Sequence, residues 1–305
     1  MPFNFTAWIR KIKFKPNFLS KKLNQIIMRI YNTLSGIIIN HNNQYFLAEE
    51  KSWDVFVNRS NLFKAISSEL QHLEPNEGLQ ELTNSAVLTP IGNQEVWASG
   101  VTYFRSREAR IEESKEAQGG DFYARVYDAD RPELFFKSPP YRTVGSGGNI
   151  RIRADSKWNV PEPELTLFIC SEGTIEGYTI GNDVSSRDIE GENPLYLPQA
   201  KSYNGATALG PCLLVTDGPI DPDTNISIEI SRDSNVLFKE QISINQMKRK
   251  HTELVHYLFR ELDFPHGTYL MTGTGIIPTD DFTLKSGDLV KITISEIGSL
   301  INTVA

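Results

Sequence analysis

The stretch PEPELTLFIC-SEGT-IEGYTIGNDV, residues 161–184, decides the fold. Two runs rich in β-branched and aromatic residues flank a short polar turn that contains Gly173, a pattern typical of a β-hairpin. Side chains two positions apart on a strand share one face, so Glu162 and Glu164 are expected to point the same way. Because burial of adjacent carboxylates without a cation costs several kcal/mol, the pair predicts a cation site if the strand is buried.

The expected register of the hairpin adds a third carboxylate. A two-residue loop at 172–173 places Glu162 opposite Asp183 and Glu164 opposite Gly181, and opposed Cβ atoms lie about 4.5–5.5 Å apart. Gly181 would leave space for an ion beside Glu164. An all-oxygen ligand set favours Mg²⁺, Mn²⁺ or Ca²⁺ over zinc, and Mg²⁺ is the ion we expect.

Two alternatives stay open for these acidic residues. Glu162 and Glu164 are also compatible with a solvated edge strand, where charged side chains discourage aggregation. A single bulge in the hairpin would move Asp183 to the opposite face of the sheet. The predicted metal site therefore depends on the register of this one hairpin.

Bulk composition excludes several classes of protein. The chain has 305 residues, 39% of them hydrophobic, and a formal net charge of -7, which argues against a nucleic-acid partner. An apolar run of 18 or more residues is missing from the sequence, so we expect no transmembrane helix and no membrane partner. Cys170 and Cys212 are too few for a disulfide framework, and we expect a reducing, cytoplasmic location.

The first third of the chain divides into two parts. Residues 1–27 carry six Lys or Arg and no Asp or Glu, and we interpret them as a basic extension that the working protein does not need. Residues 28–92 are expected to form a small α+β domain. Within it, 55–57 is strand-like and 63–70 has the apolar spacing of a helix.

Residues 93–305 predict a larger domain dominated by short strands. Many apolar runs of strand length follow one another, and helical spacing is confined to two stretches, 106–117 and 245–262. The predicted fold class is α+β, mainly β, with the small N-terminal domain packed beside this C-terminal domain.

Six short motifs between residues 95 and 305 together resemble the fumarylacetoacetate hydrolase superfamily. The motifs are Gly100-Val-Thr-Tyr103, Phe136-Lys137, Glu162-Pro-Glu164, 182–188, Lys201 and Thr272-Gly-Thr-Gly275. The resemblance implies a mixed β-sandwich or β-roll C-terminal domain. It also implies one divalent metal on Glu162, Glu164 and Asp183, and a homo-oligomer, either a dimer or a dimer of dimers.

Within the superfamily, five further stretches are similar to a branch that dehydrates 2-keto-3-deoxy sugar acids such as 2-keto-3-deoxy-D-arabinonate. These stretches are Val126-Tyr-Asp128, 131–137, 190–198, Met247-Lys-Arg-Lys250 and 292–298. The resemblance therefore implies a lyase whose substrate is a small 2-oxo acid.

One departure from the superfamily pattern supports a lyase. Hydrolase members carry a G-x-N-Y-x-x-H-x-x-E stretch whose His and Glu activate water, and here Ser106 and Ala109 stand at those two positions. Neither side chain is a general base of suitable pKa. Two alternatives to a dehydratase are kept: a hydrolase acting on an acylpyruvate or fumarylacetoacetate-like substrate, and a non-catalytic binding protein stabilised by metal.

The resemblance also implies roles for individual residues. A dehydration through a metal-stabilised enolate needs two proton-transfer groups, and the resemblance points to Glu133 and Lys201, in either order. The residues expected to bind substrate are Thr274, Gly273, Tyr103 and Arg107, although 272–275 is equally compatible with a tight glycine turn. Lys137 is expected either beside the carboxylates or on the surface.

Overall fold

The computed structural model describes residues 25–106, 108 and 125–305, and it is mainly β with mixed sheets, as expected. The strands are β1 (Ile27–Thr33), β2 (Gly36–His41), β3 (Gln44–Leu47), β4 (Glu95–Gly100), β5 (Glu133–Ser138), β6 (Thr143–Val144), β7 (Asn149–Ile150), β8 (Asn159–Val160), β9 (Pro163–Ile169), β10 (Ile175–Asp183), β11 (Ser185–Ser186), β12 (Thr207–Thr216), β13 (Asn225–Arg232), β14 (Asn235–Ser243), β15 (Thr268–Met271), β16 (Leu289–Ile294) and β17 (Gly298–Val304).

The helices in the described residues are short. They are α1 (Trp53–Val57), α2 (Leu62–Glu69), α3 (Leu79–Ser85), α4 (Arg187–Glu192), α5 (Leu197–Lys201) and α6 (His251–Leu258). Within the part of the chain that the structure describes, no helix is both long and apolar enough to cross a membrane.

Two large sheets form the frame. The ten-stranded sheet has the order β3-β2-β1-β12-β10-β9-β15-β4-β5, with β6 paired to β12, and the five-stranded sheet has the order β14-β13-β16-β17-β7. β1 pairs with β12, so the strands of the N-terminal part continue the larger sheet. The domain boundaries that the sequence places after residues 27 and 92 stay a prediction.

Both faces of the larger sheet are buried, as alternate residues of β9 illustrate. Leu165 and Leu167 belong to a core that also contains Ile228 and Ile292 of the five-stranded sheet. Phe168 belongs to a second core, which includes side chains of α1 and α2. A strand buried on both faces reads as a continuous apolar run, which explains the sequence that follows Glu164.

The hairpin of β9 and β10 differs from expectation at its tip. Cys170 N donates to Thr174 O at 3.0 Å, so the loop has three residues, 171–173, and the predicted two-residue loop is wrong. Gly173 takes a φ of 78°, which a residue without Cβ adopts easily. Glu176 is then an extra residue on β10, since the register shifts between Ile175 and Gly177.

The bulge at Glu176 restores the register that the sequence predicted. Beyond it, Gly181 pairs with Glu164, and Asp183 N donates to Glu162 O at 3.0 Å. The expected pairing at the acidic end of the hairpin is therefore confirmed, because an extra residue in the strand compensates for the longer loop.

Two local predictions are wrong. Residues 55–57 are helical, because Ser52 Oγ accepts from Val55 N at 3.4 Å and begins α1. The helix predicted over 245–262 is confined to α6, since Lys248 N donates instead to Thr102 O at 2.9 Å. The helix predicted over 106–117 falls almost wholly outside the described residues.

The bulge also joins the hairpin to the N-terminal helices, and this contact is testable. The Glu176 carboxylate accepts from Asn61 N at 3.1 Å and Leu62 N at 2.8 Å, at the start of α2. Loss of a capping carboxylate costs about 1 kcal/mol. We predict that Glu176→Ala lowers the free energy of unfolding in urea by about that amount, whereas Glu176→Gln, which keeps an acceptor, loses less. Equal stability of all three proteins would contradict the capping role.

Candidate metal centre

Glu162, Glu164 and Asp183 converge at one end of the hairpin. Each offers a carboxylate oxygen, and these three atoms lie within 4.8 Å of one another. The residues are 4%, 1% and 1% exposed. β9 lies between β10 and β15 in the larger sheet, so the alternative of a solvated edge strand is wrong.

Lys201, at the end of α5, contacts two of the three carboxylates. Its Nζ lies 2.7 Å from Glu162 Oε2 and 3.1 Å from Asp183 Oδ2, and it donates to Ser185 Oγ at 2.5 Å. Both Lys201 and its carboxylate partners are buried. The amine therefore lies in direct contact with the predicted metal ligands, in a water-poor setting.

Two further buried cations hold the carboxylates from other sides. Lys137 Nζ lies 2.7 Å from Asp183 Oδ1 and donates to Val184 O at 3.1 Å. Arg187 Nη2 donates to Glu162 Oε1 at 2.6 Å. Lys137 therefore lies beside the carboxylates and not on the surface. Burial lowers its pKa, and Asp183 opposes that effect.

Glu164 is held differently from the other two carboxylates. Gly273 N donates to its Oε2 at 2.6 Å, and among the described residues it makes no salt bridge. Burial, then Asp183, then Glu162 raise the pKa of Glu164 well above its usual value. A buried carboxylate that makes no salt bridge within the described residues is a hard oxygen ligand whose charge a divalent ion such as Mg²⁺ can neutralise.

Gly273 is required by the geometry of this contact. Its φ is +92°, and a Cβ there would lie 2.1 Å from Thr102 Oγ1. A larger residue would displace either Thr102 or the N–H that binds Glu164. The predicted glycine turn at 272–275 is therefore also the segment that holds Glu164.

Glu133 and Lys201 line one cavity together with the three carboxylates. Glu133 is the first residue of β5 and pairs with Gly100 of β4. A Cβ at Gly100 would lie 2.1 Å from Glu133 Oε2. Glycine at this position makes room for the Glu133 carboxylate within the cavity wall.

The four residues predicted to bind substrate are placed differently. Thr274 lines the cavity, although its Oγ1 also bonds the main chain of Ile276 at 3.2 Å. Gly273 lines it too, with its N–H on Glu164. Tyr103 is buried in the hydrophobic core and does not line the cavity. Arg107 lies outside the described residues.

Several residues of the cavity wall were not assigned to the site from the sequence, among them Arg187, Glu190 and Val101. Arg187 and Glu190 lie on α4, which was not predicted, and both are 2% exposed. Their spacing of three residues places them on one helical face, a signal that the sequence did contain. Val101 has a φ of 52°, which is rare for a β-branched residue and tends to mark functional sites.

Among the described residues, the cavity wall contains no His–Glu pair of the kind that activates water in the hydrolases. Ser106 lines it, but Ser106 Oγ donates to Tyr103 O at 2.8 Å and accepts from Tyr103 N at 3.2 Å. Ala109 lies outside the described residues. None of the five histidines of the chain lines the cavity.

Comparisons with known proteins agree with this geometry. The family model described as fumarylacetoacetate (FAA) hydrolase C-terminal matches residues 100–305. The 2-dehydro-3-deoxy-D-arabinonate dehydratase of Saccharolobus solfataricus is 46% identical over 226 residues, 73% of this chain and 76% of that protein. A probable 2-keto-3-deoxyxylonate dehydratase of Haloferax volcanii is 48% identical over 216 residues, 70% of this chain and 73% of its own.

A solved structure extends the likeness to three dimensions. The structure of 2-keto-3-deoxy-D-arabinonate dehydratase complexed with magnesium and 2,5-dioxopentanoate is 38% identical, with a TM-score of 0.76. The alignment covers 91% of this chain and 98% of that one. The similarity therefore spans both sheets and is not confined to the acidic hairpin.

The raised pKa of Glu164 makes metal binding pH-dependent. Below this raised pKa the metal-free protein holds a proton on Glu164, and a cation must displace it. We predict that Mn²⁺ binding releases a proton and that affinity increases as pH rises through the raised pKa, then levels off. Isothermal titration calorimetry in two buffers of different protonation enthalpy measures the number of protons released on Mn²⁺ binding.

The Glu164→Gln variant tests the ligand assignment directly. It should lose the proton release and bind Mn²⁺ more than about tenfold more weakly, because changes even around metal ligands cost 10- to 100-fold. Glu176→Gln, at the far end of the same hairpin, is the matched control and should behave as wild type. Identical heats in the two buffers, or unchanged affinity of Glu164→Gln, would contradict the assignment.

Proposed function

The chain belongs to the fumarylacetoacetate hydrolase family, and on that premise we propose that it dehydrates a 2-keto-3-deoxy sugar acid. The observation that carries the proposal is the placement of Glu133 and Lys201 in the same cavity as three buried carboxylates. The names of the relatives support the substrate class, with 2-keto-3-deoxy-D-arabinonate as the representative substrate.

The carboxylates are assigned to a metal that the family implies. We assign Mg²⁺ to Glu162, Glu164 and Asp183, since these are hard oxygen donors and the related structure was solved with magnesium. When bound, the cation would supply Lewis-acid stabilisation of negative charge on the carboxylate and keto oxygens of a 2-oxo acid.

Lys201 is assigned to the C3 proton of the substrate. Its Nζ touches oxygens of two metal ligands, so it lies next to the place where the carboxylate and keto groups would be held. C3 is the carbon adjacent to the keto group and carries the most acidic hydrogen. As a neutral amine, Lys201 would accept this proton.

Glu133 is assigned to the leaving hydroxyl on C4. Its carboxylate lies against Gly100 in the cavity wall, on a strand separate from the metal ligands. A protonated carboxyl there can donate to the departing oxygen, so that one C–H and one C–O bond break, water leaves and a C3–C4 double bond forms. Tautomerisation then moves one hydrogen from C5 and one from its hydroxyl to C3 and C4, which gives the C5 aldehyde of 2,5-dioxopentanoate. The reverse assignment of the two groups is the alternative that the experiment below distinguishes.

The substrate contacts follow from the cavity wall. We retain Thr274 as a direct contact and assign Gly273 the role of holding Glu164. Tyr103 enters as support behind the wall, since its ring belongs to the core. Arg107 stays a proposal from sequence alone.

Hydrolysis is the weaker alternative on structural grounds. Ser106 directs its hydroxyl to the main chain of Tyr103, and the histidines lie elsewhere. Carbon–carbon hydrolysis needs an activated water, for which the described cavity residues offer no His–Glu pair.

We also propose a cytoplasmic location and a homo-oligomeric assembly. Both cysteines are free and buried, which suits a cytoplasmic setting, and the family resemblance supports a homo-oligomer. Sedimentation velocity measures the assembly, and a monomer at micromolar concentration would refute it.

The proposed activity is tested by incubating the protein with Mg²⁺ and 2-keto-3-deoxy-D-arabinonate. We expect 2,5-dioxopentanoate to form, and the activity to disappear with EDTA and return with Mg²⁺. An acylpyruvate serves as the competing substrate. Pyruvate release from the acylpyruvate without dehydration would establish the hydrolase, and no turnover of either substrate would favour a binding protein.

The roles of the two proton-transfer groups are separated by isotope exchange. We predict that Lys201→Met and Glu133→Gln each lower kcat by more than about 100-fold, the usual contribution of a general acid or base, while Mn²⁺ still binds. In D₂O, Glu133→Gln should still exchange the C3 protons, as followed by NMR, and Lys201→Met should not. Exchange in Lys201→Met alone would reverse the assignment.

A further inference from the structure

The segment Met247-Lys248-Arg249 links the turn that follows β4 to the residues that precede β5, and we call these three residues the brace. On one side, Met247 forms an isolated β-bridge with Tyr103, and Lys248 N donates to Thr102 O at 2.9 Å. Thr102 follows Val101, the strained residue of the cavity wall. The main chain of the brace therefore supports the turn that follows β4.

Arg249 binds residues 126–130, which precede β5, through its side chain. Nη2 donates to Val126 O at 3.0 Å and Ala129 O at 2.5 Å, and Nη1 donates to Asp130 O at 3.2 Å. Residues 125–128 are helical, so these carbonyls lie at and beyond a helix C-terminus, where a cation is favourable. Arg249 is only 8% exposed.

The charge of Arg249 is matched within the same cluster. Its Nη1 lies 2.6 Å from Glu253 Oε1, in the first turn of α6. Three carbonyls and one carboxylate around a planar guanidinium form a contact that an ammonium cannot reproduce. The guanidinium therefore joins α6 to the segment 126–130.

The segment 126–130 that Arg249 binds lies directly before the strand that carries Glu133. Residue 130 precedes Glu133 by three residues, and Glu133 is the first residue of β5. Within the described residues, β5 is the last strand of the ten-stranded sheet and pairs only with β4. A strand end held on one side only is a low-stability element, while a proton-transfer group must be held within about 0.5 Å.

We propose that Arg249 is a positioning residue that holds the Glu133 carboxylate in place through the main chain of 126–132. The proposal rests on the proposed role of Glu133. Lys248 contributes on the same segment, since its Nζ lies 2.9 Å from Asp128 Oδ1. The brace thus aligns the end of β4 with the start of β5, where the Glu133 carboxylate packs against Gly100.

The test compares Arg249→Met and Arg249→Lys with wild type. Both should lower kcat by about 10- to 100-fold, the loss that a small misplacement causes, with Lys the milder change. The substrate KM and Mn²⁺ affinity should stay within about twofold, because the metal ligands lie on other strands. Amide hydrogen exchange should accelerate in the peptide covering 125–138.

A double-mutant cycle separates positioning from general damage. In the Glu133→Gln background, Arg249→Met should lower kcat by less than about threefold, since the group that it positions is already absent. Arg232→Met is the matched control, because Arg232 also binds a buried carboxylate, Asp288, at 2.6 Å, but outside the cavity. Its unfolding free energy should fall while its kcat stays unchanged.

Each outcome decides one question. Unchanged exchange at 125–138 in Arg249→Met refutes the brace even if the wild type proves inactive. Unchanged kcat, or full additivity with Glu133→Gln, refutes the positioning role while the dehydratase activity stands. An inactive wild type with accelerated exchange refutes the proposed function alone and leaves the brace as a support of β5.

Discussion

Mutual repulsion of three buried carboxylates is the constraint on which the site depends. Within the described residues, Glu162 and Asp183 form salt bridges with buried cations, whereas Glu164 accepts a main-chain N–H and has a raised pKa. Moving these charges out of water costs more free energy than single contacts return. The packing of the surrounding frame, which is buried on both faces, must therefore offset that cost. The two packed cores around β9 supply that frame.

The acidic end of the hairpin could be predicted because strand periodicity is simple. Alternation along β9 puts Glu162 and Glu164 on one face, and pairing with β10 brings Asp183 to them. The tip of the hairpin could not be predicted, because the bulge at Glu176 is stabilised by N–H groups of α2, which are distant in sequence. The predicted pairing of Glu162 with Asp183 was still right, because the extra residue in the bulge compensates for the extra residue in the loop.

The surroundings of the carboxylates depend on tertiary contacts that local patterns do not encode. Lys137 looked as compatible with the surface as with the site, and only the fold brings it to Asp183. The helix predicted through 245–262 ignored the brace, whose N–H and guanidinium bind segments more than 100 residues away. The family resemblance supplied Glu133 and Lys201, and the structure shows them lining one cavity.

The central claim is that one divalent cation binds between these three carboxylates. Anomalous diffraction from a crystal soaked in Mn²⁺ measures this most directly. The account predicts a single strong peak about 2.0–2.4 Å from oxygens of Glu162, Glu164 and Asp183. A peak elsewhere, or no peak with Lys201 still bonded to Glu162 and Asp183, would contradict it.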